Sequence, residues 1–67
     1  MRHMTIPNDG HPPVEVICMN VEAIEGVYKK HGEEFFDILM VSGDRYIVPC
    51  SVITRQQAIH HFMDCAT

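Results

Sequence analysis

The segment EFFDILMVSGDRYIV, residues 34–48, is the strongest indicator of the fold in this sequence. In its first half, Phe36, Ile38 and Met40 recur at every second position, which is the period of a β-strand. Gly43 lies within a Ser-Gly-Asp turn and can supply the positive φ that tight hairpin turns need. The sequence therefore predicts a β-hairpin over residues 34–48, which Pro49 ends because proline cannot donate to a strand ladder.

Two further strands are predicted upstream of the hairpin, over residues 14–19 and 24–29. In the first, Val14, Val16 and Cys18 share one face. The second is less well defined, because the apolar residues of segment 20–30 fit a helical period about as well as an extended one. The β-branched residues of this segment favour a strand. Both alternatives, helix and strand, stay open for residues 20–30.

A helix is predicted over residues 55–64, near the end of the chain. Thr54 and Gln57 have the spacing of a capping box. A single apolar stripe follows, formed by Ala58, Ile59, Phe62 and Met63. So short a helix does not persist alone in water and must pack on the sheet. The predicted fold class is α+β, a small antiparallel sheet of three or four strands with one C-terminal helix packed on one face.

The domain organisation follows from length and from the prolines. A chain of 67 residues allows one small domain. Residues 1–13 hold three of the four prolines and an Asn-Asp-Gly turn signal. We therefore expect a flexible N-terminal tail over residues 1–13 and a single domain over residues 14–67.

Charge and composition disfavour several classes of function. The formal net charge is −4, and nucleic-acid binders normally present a basic face. Nucleic acid is thus a disfavoured partner, although an oligomer could gather scattered cations into one patch. The longest apolar stretch is interrupted by Asp37, so no membrane partner is expected. The N-terminus has no apolar targeting run, which predicts a cytoplasmic protein with three reduced cysteines.

The sequence predicts that the chain is not an enzyme and needs no cofactor. General acid–base catalysis needs a cleft that excludes water, and so short a chain has almost no interior to form one. The carboxylate pairs Glu22 with Glu25 and Glu33 with Glu34 are better explained as solvated turn and edge residues. Cys50 lies at a junction between strand and helix, but no histidine is placed beside it to activate a thiolate.

A metal site is the main competing hypothesis. His61 and Cys65 are four residues apart and would face the same side of a helix, next to His60. A structural zinc site needs four ligands, and no second ligand pair is visible in the sequence. We expect no bound metal and treat the histidines as solvated residues near the helix C-terminus. The alternative is a metal- or redox-responsive module that also uses Cys18 and Cys50.

The surplus of apolar residues suggests how the protein acts. One short helix covers one face of a sheet, while the second face also carries large apolar side chains. An uncovered apolar face usually marks an interface, and a second copy of the chain is the most common cover. The alternative cover is the N-terminal segment. We expect a non-catalytic interaction or regulatory protein, a homodimer that also binds another protein, with interface candidates Ile17, Met19, Phe35, Leu39 and Val41.

Overall fold

The computed structural model describes residues 3–8 and 10–63. The described residues form six strands and one helix in an α+β fold, as the sequence predicted. A short 3-10 turn, Cys18–Asn20, follows the second strand. In chain order the elements are β1 His3–Asn8, β2 His11–Ile17, β3 Val21–Ile24, β4 Tyr28–Lys30, β5 Glu33–Met40, β6 Arg45–Pro49 and α1 Arg55–Met63.

Strand β5 is the centre of a four-stranded antiparallel sheet. Strand β6 pairs along one side of it, and β3 and β4 share the other side. The turn from β5 to β6 has the predicted geometry. Gly43 has φ 95°, and the Met40 amide donates to the Asp44 carbonyl over 2.8 Å. The hairpin predicted over residues 34–48 is thus present, with β5 beginning one residue earlier and β6 ending one residue later.

Segment 20–30 forms two short strands instead of the single strand predicted over residues 24–29. Strand β3 pairs with the second half of β5, and β4 pairs with the first half. The chain leaves the sheet between them at the exposed Gly26, a residue type that weakens a strand interior. His31 and Gly32 then have φ values of 53° and 79°, as a type I′ hairpin turn between β4 and β5 requires.

The N-terminal segment differs from the flexible tail predicted over residues 1–13. Strands β1 and β2 form an antiparallel hairpin, in which Ile6 is 1% exposed and Val16 is fully buried. Pro12 and Pro13 did not prevent the strand, because they lie exposed at its beginning. The Asn8 side chain accepts a hydrogen bond from the Ile47 amide over 3.2 Å, which ties this hairpin to β6.

The core lies on one face of the four-stranded sheet. Phe36, Ile38 and Met40 of β5 point into it, and both the N-terminal hairpin and α1 pack there. The N-terminal segment, which was the alternative cover predicted for the second face, therefore packs on the first face instead. The buried cluster consists of Ile6, Val16, Cys18, Phe36, Ile38, Met40, Val48, Ala58 and Phe62.

The helix begins as its sequence predicted. The Gln57 amide donates to Thr54 Oγ1 over 3.1 Å, and the Thr54 amide donates to Gln57 Oε1 over 2.9 Å. Arg55 donates to the backbone carbonyls of Glu25 and Ile24 over 2.8 and 3.2 Å, which fixes α1 against β3. Asp64, the predicted last residue of the helix, lies outside the described residues. In the described part of the chain, no helix is long and apolar enough to cross a membrane.

Candidate protein-binding face

The second face of the sheet, which we call the outer face, is set by alternation along β5. Phe35, Asp37 and Leu39 alternate with the core residues and therefore point to the opposite side. The register places a residue of a neighbouring strand opposite each of them on the same side. The outer face consists of Ala23, Glu25, Tyr28, Phe35, Asp37, Leu39, Arg45, Ile47 and Pro49.

The apolar part of the outer face is separate from the core. Phe35 is 5% exposed and stacks on Tyr28 with 6.1 Å between ring centroids. Leu39, Ile47 and Pro49 are half-buried. None of these five side chains belongs to the core cluster or packs against it. Within residues 3–8 and 10–63, these side chains therefore lie outside the core that the hairpin β1–β2 and the helix cover, and Leu39, Ile47 and Pro49 supply more accessible apolar surface than the buried Phe35.

A cluster of charged groups lies at the centre of the outer face. The Asp37 carboxylate is 14% exposed and accepts hydrogen bonds from the Tyr28 hydroxyl at 2.8 Å and from Arg45 Nη1 at 3.1 Å. The same Arg45 nitrogen donates to Glu25 Oε1. Arg45 and Glu25 are 47% and 42% exposed, respectively. Asp37 is thus fixed by two donors, while the other two charged side chains remain open to water.

The predicted interface residues do not form one surface. Phe35 and Leu39 lie on the outer face. Met19 belongs to the 3-10 turn and is 65% exposed, so its predicted place on a strand over residues 14–19 is wrong. The strand ends early because the Val21 amide bonds back to the Cys18 carbonyl and closes the turn. Ile17 and Val41 line a separate open depression between β2 and the turn that joins β5 to β6.

The histidines proposed as metal ligands, His60 and His61, are adjacent residues of α1. His60 is exposed, and His61 is half-buried with Nε2 3.3 Å from the His3 carbonyl oxygen. Cys65 lies outside the described residues. Among residues 3–8 and 10–63, no group of three histidine, cysteine, aspartate or glutamate side chains is placed to hold a metal ion. The metal hypothesis, which depends on Cys65, stays a hypothesis.

The cysteines differ from the prediction of three reduced thiols. Cys18 is buried in the core and is disulfide-bonded, whereas Cys50 is a half-buried free thiol. The odd number of cysteines misled the prediction, because an odd count still permits one disulfide and one remaining thiol. Which cysteines meet depends on the distance between their Cα atoms in the fold, and sequence spacing does not give that distance.

The sequence did not predict the charged part of the outer face. Alternation along β5 is visible in the sequence and puts Asp37 on the same face as Phe35 and Leu39. The contact between Glu25 and Arg45 joins residues far apart in the chain and depends on the register of both strands that flank β5. No family model, no curated protein and no solved structure matches the chain.

Proposed function

We propose that this chain is a small non-catalytic interaction or regulatory protein that binds through its outer face. The observation that carries the proposal is the isolation of the apolar outer-face side chains from the core cluster. Phe35, Leu39 and Ile47, which we call the apolar strip, lie on two paired strands of this face, and Asp37 lies between Phe35 and Leu39 on the same side. Apolar surface of this kind, with polar groups among it, is typical of protein interfaces.

A second copy of the same chain is the occupant that the outer face suits best. Domains of this size often depend on a partner subunit for stability. A two-fold homodimer needs a surface that is complementary to itself. The outer face supplies both hydrophobic area and charges of opposite sign, since Arg45 lies beside Glu25. The proposed dimer therefore covers the same apolar strip on both copies.

The distribution of cations supports a protein partner over a nucleic acid. Lys29 and Lys30 are opposite Glu34 and Glu33 in the β4–β5 register, so acidic residues accompany both lysines. Arg45 is shared by two carboxylates. Phosphate binding needs basic side chains that are not already neutralised. Any further partner of the dimer is accordingly proposed to be a protein.

The experiment that tests the proposal is native mass spectrometry of the wild-type chain, before and after chelator treatment. We expect the mass of two chains in both samples. Leu39→Arg places a charge in the apolar strip and should give the mass of one chain. Thr5→Arg adds the same charge at an exposed position of β1 and should remain dimeric. A monomeric wild type, or a dimeric Leu39→Arg variant, would contradict the proposal.

A redox-responsive module is the second candidate function, because Cys18 is disulfide-bonded within the core. In the cytoplasm, the location that we propose from composition, thiol reductants keep most cysteines reduced. Opening this disulfide would release two thiols and consume two electrons from a dithiol reductant. The core around Ile6 and Val16 would then lose a covalent constraint.

Thiol counting tests this candidate directly. Ellman's reagent should detect one thiol in the denatured, unreduced chain and three after reduction with dithiothreitol, since the chain has three cysteines. Cys50→Ser should lower both counts by one, because Cys50 is the free thiol. Three thiols in the chain purified without reductant would contradict the redox candidate and leave the dimer proposal unaffected.

A further inference from the structure

We infer that Arg45 and Glu25 set the alignment of the two copies, each Arg45 donating to Glu25 of the second copy across the two-fold axis. This inference rests on the proposed dimer through the outer face. It assigns the recognition of the second copy to two charged residues that lie beside the apolar strip on the outer face. The apolar strip then supplies binding free energy, and the charged pair determines which partner surface can bind and in which alignment.

The hydrogen bonds of the charged cluster show which groups are available. Arg45 uses one nitrogen, Nη1, for both of its contacts. Within the described part of the chain, Arg45 Nε and Nη2 and Glu25 Oε2 make no hydrogen bond. A guanidinium carries five N–H donors in a planar fork, and a carboxylate accepts at both oxygens. Each copy thus presents an unused donor group and an unused acceptor side by side.

Covering the outer face makes these unused groups costly. Arg45 and Glu25 are about half exposed, at 47% and 42%, and water now satisfies their free atoms. An apolar partner surface would remove that water without replacing its hydrogen bonds, which disfavours binding. A second copy replaces them reciprocally, because a two-fold axis brings the donor of each chain to the acceptor of the other.

Asp37 stays within its own chain in this arrangement. It is only 14% exposed and already accepts from Tyr28 and Arg45. Glu25 is therefore the carboxylate with capacity for a contact between copies. Two arginines and two glutamates then meet around the two-fold axis, and their positive and negative charges alternate. Alternation of this kind rejects a shifted alignment, which would bring like charges together.

Charge reversal tests the inference by design of a heterodimer. Arg45→Glu leaves only carboxylates in the cluster, so two such chains repel one another. Glu25→Arg leaves two guanidinium groups there, and two of those chains also repel. Each variant alone should dimerise at least about tenfold more weakly than the wild type. An equimolar mixture should form a heterodimer, which native mass spectrometry distinguishes by mass.

Matched controls use a second pair of opposite charges on the same sheet. Lys29→Glu changes the charge by the same amount as Arg45→Glu, and Glu34→Arg matches Glu25→Arg. Lys29 and Glu34 are exposed, pair across β4 and β5, and alternate away from the outer face. Both control variants should dimerise as the wild type does.

The outcomes separate this inference from the proposed function. A monomeric wild type would contradict the proposed dimer itself. A dimeric wild type whose Arg45→Glu and Glu25→Arg variants also dimerise overturns the alignment by these residues but keeps the outer-face dimer. Two monomeric variants that form no heterodimer also overturn it. If circular dichroism shows that a reversed chain is unfolded, Arg45→Gln and Glu25→Gln replace it, and unweakened dimers would then overturn the inference.

Discussion

At the residue scale, Asp37 has one effect on the sequence pattern and a different role in the fold. Along the sequence it interrupts an apolar run. In the fold it is the centre of a cluster that joins β4, β5 and β6, because Tyr28 and Arg45 both donate to it. A carboxylate that is only 14% exposed needs such donors, since an unpaired buried charge is strongly destabilising. The cluster therefore stabilises the sheet as well as shaping its outer face.

Removing the Tyr28 hydroxyl tests the contribution of this cluster. Tyr28→Phe keeps the ring stacked on Phe35 and deletes the hydrogen bond to Asp37. We expect the free energy of unfolding to fall by about 1–2 kcal/mol, as for a hydrogen bond to a charged group, in urea titrations monitored by circular dichroism. Tyr46→Phe is the control, because the Tyr46 hydroxyl makes no hydrogen bond in the described structure. Equal stability of the two variants would contradict this role of Tyr28.

At the scale of elements, the sequence predicted the features that depend on residues close together in the chain. The glycine turn after Met40 and the capping box at Thr54 depend on residues close in sequence, and both are present. The division of segment 20–30 and the pairing of β1 with β2 depend on contacts between distant strands. The prolines of residues 1–13 led to the prediction of a flexible tail, although Met4 and Ile6 have the alternation of a strand.

Truncating Ile6 tests whether the N-terminal hairpin is part of the folded domain. Ile6→Ala should lower the free energy of unfolding by about 2–5 kcal/mol, because the side chain is 1% exposed and its loss leaves a cavity. Thr5→Ala, at the exposed neighbouring position of β1, should change it by no more than about 0.5 kcal/mol. A flexible tail would instead make the two variants equally stable in urea titrations.

The capping box makes a separate prediction for α1. Thr54→Ala removes the oxygen that accepts from the Gln57 amide. We expect a loss of about 1 kcal/mol in the free energy of unfolding, typical of an N-cap residue. Gln56→Ala, at an exposed position of the same helix, should have little effect, since alanine is a good helix former. A Thr54→Ala variant as stable as Gln56→Ala in thermal melts would show that the cap is dispensable.

At the scale of the whole molecule, the chain has one core and two apolar sheet faces. The helix and the N-terminal hairpin both pack on the face of Phe36, Ile38 and Met40. The sequence predicted the second apolar face through Phe35 and Leu39, because alternation along one strand requires no knowledge of its neighbours. It did not predict the pairing of Glu25 with Arg45, which exists only once both neighbouring strands have their register.

In the proposed dimer, the outer face of one copy covers the outer face of the other. The most direct measurement is an isotope-filtered NOE experiment on a mixture of ¹³C-labelled and unlabelled chains, which detects only contacts between copies. We predict cross-peaks between copies from the methyl groups of Leu39 and Ile47. Cross-peaks confined to Met19 and Val41, or none at a concentration at which the chain is dimeric by mass, would contradict a dimer formed through the outer face.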